Sequence, residues 1–409
     1  MIKKDIEKNI SIITLLSLVF LWTIQVDLFS MKVPVFPSFF VLLSFFAIGN
    51  FSIKIKNLFL ALFFILAMSV LQYAVGAFFE SPLRSLGGIF VFSVYLVALY
   101  SVIDFIDTEG CSVDLLVFSK KFIFLQFFVQ IVQLVMFYLG FNVTSYRLSP
   151  SFPRVSGLFL EPSHLAFSLS PYLYLLFFKN EILKRSLGKG GYLALLLVFV
   201  LSPSATLVAV ILMLSAFGVL TNIRSLSVFF KSAVIAFFSF MLVLNIEFVN
   251  ERFFDLYMML KNPNFYSLNY NISAMTYFKG VQMSLSGILD YGIGVGFLNF
   301  QFLNDASFVS LLSEHMYQNN KFGGASTLLK ICGEFGLLGF LVSLGSLLVF
   351  CLKHVKSRSE NYFSMHAFVL FGMIATYIRG ASYFDGVYIA GLAALMLTLK
   401  HYRYGKALY

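Results

Sequence analysis

Charged residues are scarce in this chain: 12% of its 409 residues are Asp, Glu, Lys or Arg, where a soluble domain carries about 25%. With 59% hydrophobic residues and a mean hydropathy of +0.88, too little polar surface remains to keep a water-soluble globule dissolved. Cysteine is nearly absent, and Cys111, Cys332 and Cys351 stand far apart, without the spacing of a metal site or a redox pair. Regular apolar–polar alternation is missing as well. The run 58–79 is apolar on every face, which excludes spanning strands there. The start of the chain, with Lys3, Lys4 and Lys8 before an apolar run, lacks a small-residue cleavage site and reads as a retained first helix. No repeat of segment length or charge is visible, which argues against a transporter of inverted-repeat type.

What the chain does have is a series of uncharged stretches near the roughly 20 residues that a helix needs to cross a bilayer. The expected fold is all-α: one polytopic membrane bundle over residues 1–409 with about twelve membrane segments. The first spans fall at 10–29, 34–48, 58–79, 86–103, 122–140 and 163–178. The formal net charge of +10 is read as orientation signal rather than as a nucleic-acid surface, because Lys and Arg collect in cytoplasmic turns. Lys54 with Lys56, Lys120 with Lys121, and the basic segment 179–191 are such turns and put the amino terminus in the cytoplasm, while Lys400, Arg403 and Lys406 put the tail there.

Lys353, Lys356 and Arg358 mark a cytoplasmic loop near the other end, so 250–326 is a long external loop and the helix 228–249 rises out of a cytoplasmic turn at Arg224. The run 192–220 must then start and finish on one side. Leu201, Ser202, Pro203, Ser204, Ala205 and Thr206 interrupt it, and Pro breaks a helix at such a place. A pair of short helices joined at membrane depth is expected. Spans at 362–378 and 387–399 complete the bundle, and 141–162 is a second large external loop.

External loops should be poor in arginine, yet Arg147, Arg154, Arg252 and Arg379 lie there. Each alone is compatible with interfacial snorkelling or a surface ion pair. Together they point to an external anionic ligand, since guanidinium pairs with phosphate through two parallel hydrogen bonds. Arg154, Glu161 and His164 surround a helix start opened by Pro162, the kind of place that attracts anions. Glu161 either holds Arg154 by an ion pair or accepts a proton from an attacking hydroxyl; His164 either caps and packs or contacts ligand. Gly292, Gly294 and Gly296 permit close backbone approach but lack dinucleotide spacing. The Asn-, Tyr-, Phe- and Ser-rich loop around them suits sugar rings, or else a membrane surface on which 272–289 lies as an interfacial helix.

The segments "RVSGLFLEPSHLA" from Arg154, "LSPSATL" from Leu201, "GIGVGF" from Gly292 and "STLLKICGEFGLLGFL" from Ser326, taken in order, resemble the pattern of the O-antigen polymerase and ligase superfamily over nearly the whole chain. The resemblance implies transfer of glycans carried on undecaprenyl diphosphate at the outer face of a bacterial inner membrane, with no metal or other cofactor. The lipid-linked oligosaccharide would be both donor and acceptor, and membrane lipids, a chain-length regulator and a flippase of the same pathway would be partners. Ligases of the superfamily carry a His-Asn pair where this chain has Ala325 and Ser326, so the polymerase branch fits better. On that resemblance Arg154, Glu161 and Arg252 are expected at the reacting groups. Arg147, His164, Arg379, Tyr383, Gly294 and Gly296 are expected to bind substrate. A flippase would instead show ionisable residues in mid-membrane and short loops, and a noncatalytic scaffold would leave the external arginines without a role.

Cysteines introduced singly at Gly190 and at Arg224 should both resist an impermeant external thiol reagent in intact cells; labelling of one alone would make 192–220 a single span.

Overall fold

The computed structural model describes residues 2–21, 25–28, 31–48, 82–141, 147–149, 152–221, 247–262, 270–304, 324–356, 365–380 and 383–403, with isolated helical positions at Phe59, Phe63, Leu66, Ala67, Val70, Val234 and Phe237. Most of the expected spans 58–79 and 228–249, and Arg224, lie outside the described residues. Helix dominates. Among the described residues, three helices contain stretches long and apolar enough to cross a membrane: Gly87–Thr108, Ser112–Tyr138 and Thr327–Lys353.

The chain opens with α1 (Ile2–Phe20), a hairpin of β1 (Gln25–Leu28) and β2 (Met31–Pro34), and α2 (Val35–Ala47). The first helix therefore stops at Phe20, short of the expected 29, and a strand pair takes the chain into α2. Then come α3 (Pro82–Thr108) and α4 (Ser112–Tyr138), followed by the short strands β3 (Arg147–Ser149) and β4 (Phe152–Pro153). Helices α5 (Pro162–Ser168) and α6 (Ser170–Phe178) lead into α7 (Asn180–Leu201) and α8 (Ala205–Thr221). The basic segment after Lys179, expected as a loop, is helical and bends at Gly188 (φ 66°). Helix α7 ends at Leu201 and α8 starts at Ala205, with Pro203 in the break.

Beyond lie α9 (Glu247–Lys261), α10 (Ile272–Leu289), a 3-10 turn at Phe300–Leu303, α11 (Thr327–Lys356), α12 (Met365–Thr376) and α13 (Gly386–Arg403). Every residue of α12 is buried. A helix apolar all round belongs in the centre of its assembly, and α12 packs against α13, α11, α6 and α3. Rings of Tyr172, Tyr174, Phe350, Phe368 and Phe371 interlock there. The outer face of α11 exposes Leu337, Leu341, Val342 and Leu348, as a lipid-facing helix would.

Helix α11 breaks at Gly336 (φ 57°, ψ −139°), and the glycine-rich segment after α10 takes up the backbone groups that the break releases. Leu337 N donates to Gly292 O at 3.0 Å, Val295 N to Gly333 O at 3.2 Å, and Gly296 N to Glu334 O at 2.9 Å. The approach leaves no room for a side chain: a Cβ on Gly294 would lie 2.4 Å from the Glu334 carbonyl carbon, and one on Gly336 would lie 2.0 Å from Gly292 O. The Glu334 side chain is 0% exposed and secures the next stretch of the same loop. It accepts hydrogen bonds from Leu298 N (2.9 Å), Phe300 N (3.2 Å) and the Tyr383 hydroxyl (2.7 Å). Leu298 sits in the left-handed region (φ 61°), an arrangement a leucine keeps only when its surroundings fix it. The Lys330 ammonium lies 4.9 Å from the centre of the Tyr383 ring.

A carboxylate so enclosed depends on its donors. Replacing Tyr383 with Phe should lower stability by about 0.5–1.5 kcal/mol, the usual net value of one buried hydrogen bond. Glu334→Ala, which strands two buried N–H groups, should cost more. Thermal unfolding of the purified chain in detergent measures both, and an unchanged midpoint for Glu334→Ala would show that the loop does not rest on this carboxylate.

Candidate functional site

Two irregular stretches meet beside α4, residues 154–161 and 202–204. The first appears in the sequence as the end of an external loop, but it lies along the middle of a candidate membrane-spanning helix: about 18 Å of helix rise, at 1.5 Å per residue, separates Gln126 from the end of α4 at Tyr138. Peptide groups there need protein partners; Gln126 and Gln133 of α4 supply them directly, and Gln130 acts through Ser202. Gln126 accepts from Leu158 N (2.9 Å) and donates to Ser156 O (3.0 Å). Gln133 accepts from Gly157 N (2.8 Å) and Ser156 N (3.2 Å) and donates to Gly157 O (3.0 Å). Gln130 donates to Ser202 Oγ (2.6 Å) and Val198 O (3.2 Å), and Ser202 Oγ in turn donates to Val155 O. Positions 126, 130 and 133 share one helix face by their spacing. Gly157 (φ +64°) is needed at the centre of the loop, since a Cβ there would lie 2.1 Å from Gln126 Nε2.

This seam brings Arg154, 4% exposed, against the break: its Nε donates to Pro203 O at 2.9 Å. Arg154, Glu161 and Arg379, three of the residues expected at a site, line one cavity of about 330 Å³. Its wall continues through Ser163, Thr206, Phe253, Ser273 and Tyr277. The starts of α8 and α10 open onto it through Ala205, Thr206, Ser273 and Ala274. Both starts are capped: Ser204 Oγ accepts from Leu207 N (3.0 Å) and Asn271 Oδ1 from Ser273 N (3.0 Å). Two helix amino termini and two guanidinium groups give the cavity a positive potential.

Glu161 offsets part of that charge. Its Oε2 accepts from Ser163 Oγ (2.8 Å) and faces Arg379 Nη2 (3.4 Å), so its ion-pair partner is the arginine after α12. Burial pushes the Glu161 pKa up, but Arg379, His164 and the Ser163 hydrogen bond outweigh it and hold the carboxyl below its ordinary value. His164 lies one turn on in α5, its ring edge-on to Phe167 at 5.7 Å.

The other expected site residues lie elsewhere. Tyr383, Gly294 and Gly296 are buried in the Glu334 lock and do not line the cavity, because the break in α11 takes their hydrogen-bonding and packing surfaces. Arg147 is on β3 and Arg252 on α9, and their side chains lie outside the described residues. Sequence reasoning missed the glutamines: three amides at 126, 130 and 133 on an otherwise apolar helix were the available signal. No group of three or more His, Cys, Asp or Glu side chains comes together to hold a metal among the described residues. No family model, curated protein or solved structure matches the chain.

The Glu161 pair carries a pH dependence whose sign follows from its lowered pKa. Its contribution to stability is present above the ordinary glutamate value of 4.5 and is lost as pH falls through the lower folded-state value. Melting curves of wild type and Glu161→Gln should differ at neutral pH and converge only once pH has fallen through the folded-state value, below the ordinary 4.5; a gap that persists in stronger acid would mean that ionised Glu161 is not what stabilises the pair.

Proposed function

We propose that this protein is a glycan polymerase that joins oligosaccharide repeat units carried on undecaprenyl diphosphate at the outer face of a bacterial inner membrane. The observation that supports it best is the cavity in which Arg154 and Arg379 meet the starts of α8 and α10. That chemistry suits a diphosphate whose charge grows as it departs. In the reaction, a hydroxyl oxygen of the acceptor unit attacks the anomeric carbon of the donor chain. The bond from that carbon to the diphosphate oxygen breaks, and its electron pair leaves with the diphosphate. The hydroxyl proton passes to Glu161 and from there to solvent. Arg154, held at Nε by Pro203 O, and Arg379 neutralise the leaving group, with Arg252 expected to join them from α9. Arg147 and the aromatic and amide side chains of the external loops are assigned to sugar and acceptor binding.

Alanine at 325 and serine at 326, in place of the His-Asn pair of the ligase branch, favour polymerase over transfer to lipid A core. Deletion of the gene separates the classes. Loss of a polymerase leaves a single repeat unit on the lipid A core, loss of a ligase leaves no attached glycan, and loss of a flippase leaves no units outside.

Arginine-to-lysine exchange keeps charge and removes the planar fork. Arg154→Lys should therefore cut polymer formation as Arg154→Ala does, by about 10²–10³-fold, while Arg185→Lys in α7 should be silent. Gel profiles of surface polysaccharide at matched protein level provide the measurement, and wild-type polymer from Arg154→Lys would remove Arg154 from the leaving-group site.

A further inference from the structure

We propose that Gln126 and Gln133 are positioning residues for Arg154, acting through the backbone of Ser156, Gly157 and Leu158; this rests on the reading of the cavity as a phosphate site. Three features support it. Five hydrogen bonds from two side chains fix three consecutive peptide groups directly after Val155. Gln130 and Ser202 tie Val155 O to the end of α7. The Arg154 Nε bond to Pro203 O closes the ring, so the guanidinium is located from both its backbone and its side chain.

Gln126 is 0% exposed, and its amide is oriented with its oxygen on Leu158 N and its nitrogen on Ser156 O. Gln133 goes further and brackets Gly157 through both its N–H and its C=O. The two amides therefore specify the path of the loop, not merely its burial. Neither side chain lines the cavity, so an effect on ligand passes through the residues of this loop that do, and Arg154 is the nearest of them in sequence to the anchored peptide groups.

The test is a double-mutant cycle on the purified full-length chain in detergent, with inorganic pyrophosphate as the probe and binding read by calorimetry. Gln133→Met and Gln126→Met keep side-chain length and remove the amide. Each should weaken pyrophosphate binding roughly ten- to a hundredfold, the scale set by stranding buried peptide groups. In an Arg154→Ala background the same changes should have no further effect, because a positioning residue acts through the group it positions. Ser202→Ala, a small change that opens the same ring, should weaken binding several-fold and also be silent without Arg154, which keeps the idea testable if a glutamine variant does not fold. Pyrophosphate affinity unchanged in these variants, or a loss that adds in full to that of Arg154→Ala, would overturn the positioning role while leaving the phosphate site intact. A wild-type chain that binds no pyrophosphate would overturn the phosphate site itself, and this inference with it.

Discussion

A peptide group taken out of water keeps its demand for a hydrogen-bond partner, and in an apolar helical bundle that demand decides where the chain is allowed to depart from helix. Among the described residues, irregular backbone packs against two candidate membrane-spanning helices. Next to α4, residues 154–161 and 202–204 are irregular, and the amides of Gln126, Gln130 and Gln133 with the Ser202 hydroxyl satisfy them. Next to α11, the break at Gly336 is filled by the backbone of Gly292, Val295 and Gly296, and the carboxylate of Glu334 holds the loop that follows. Both solutions rely on glycine where chains come closest, at Gly157 in one and at Gly294 and Gly336 in the other.

The electrostatics of the cavity follow from the first departure. Breaking α7 from α8 at Pro203 creates a second helix start, capped by Ser204, with Ala205 and Thr206 lining the cavity. The loop that fills the space beside it ends in the start of α5, and its first residue is Arg154. Arg379 arrives from the end of α12, and Glu161 tempers it. The low polarity around such groups strengthens every charge interaction among them relative to water. A site for a departing anion needs fixed positive ends and little reorganisation, and the hydrogen-bonded ring through Val155, Ser202, Pro203 and Arg154 provides rigidity at that point.

The sequence shows helices and membrane character clearly, because composition and long apolar runs report them directly. It also singles out Arg154, Glu161 and Arg379, since charges at odds with the topological pattern stand out; these three share the cavity. Their pairing was less legible. Glu161 lies seven residues from Arg154, yet its partner is Arg379, brought in by the packing of α12 against α5 and α6. The glycines at 294 and 296 read as positions of close backbone approach, and both lie against the Glu334 backbone; no pattern in a single sequence says which neighbour such glycines meet. The glutamine seam escaped notice because neutral amides add nothing to a charge map, although their spacing on an apolar helix marks one polar face. The strand pair 25–28 and 31–34 and the helical state of 180–187 escaped as well, since short strands and basic helix ends leave weak periodic signals.

The central claim is that the cavity between Arg154 and Arg379 is an anion site fixed by its surrounding backbone. The most direct measurement is an experimental structure of the full-length chain in a lipid nanodisc, determined with and without pyrophosphate. The account predicts density for the anion within hydrogen-bonding distance of both guanidinium groups, with residues 154–158 and the glutamines of α4 unmoved between the two states. A cavity filled by acyl chain, or an anion bound elsewhere with Arg154 and Arg379 untouched, would contradict it.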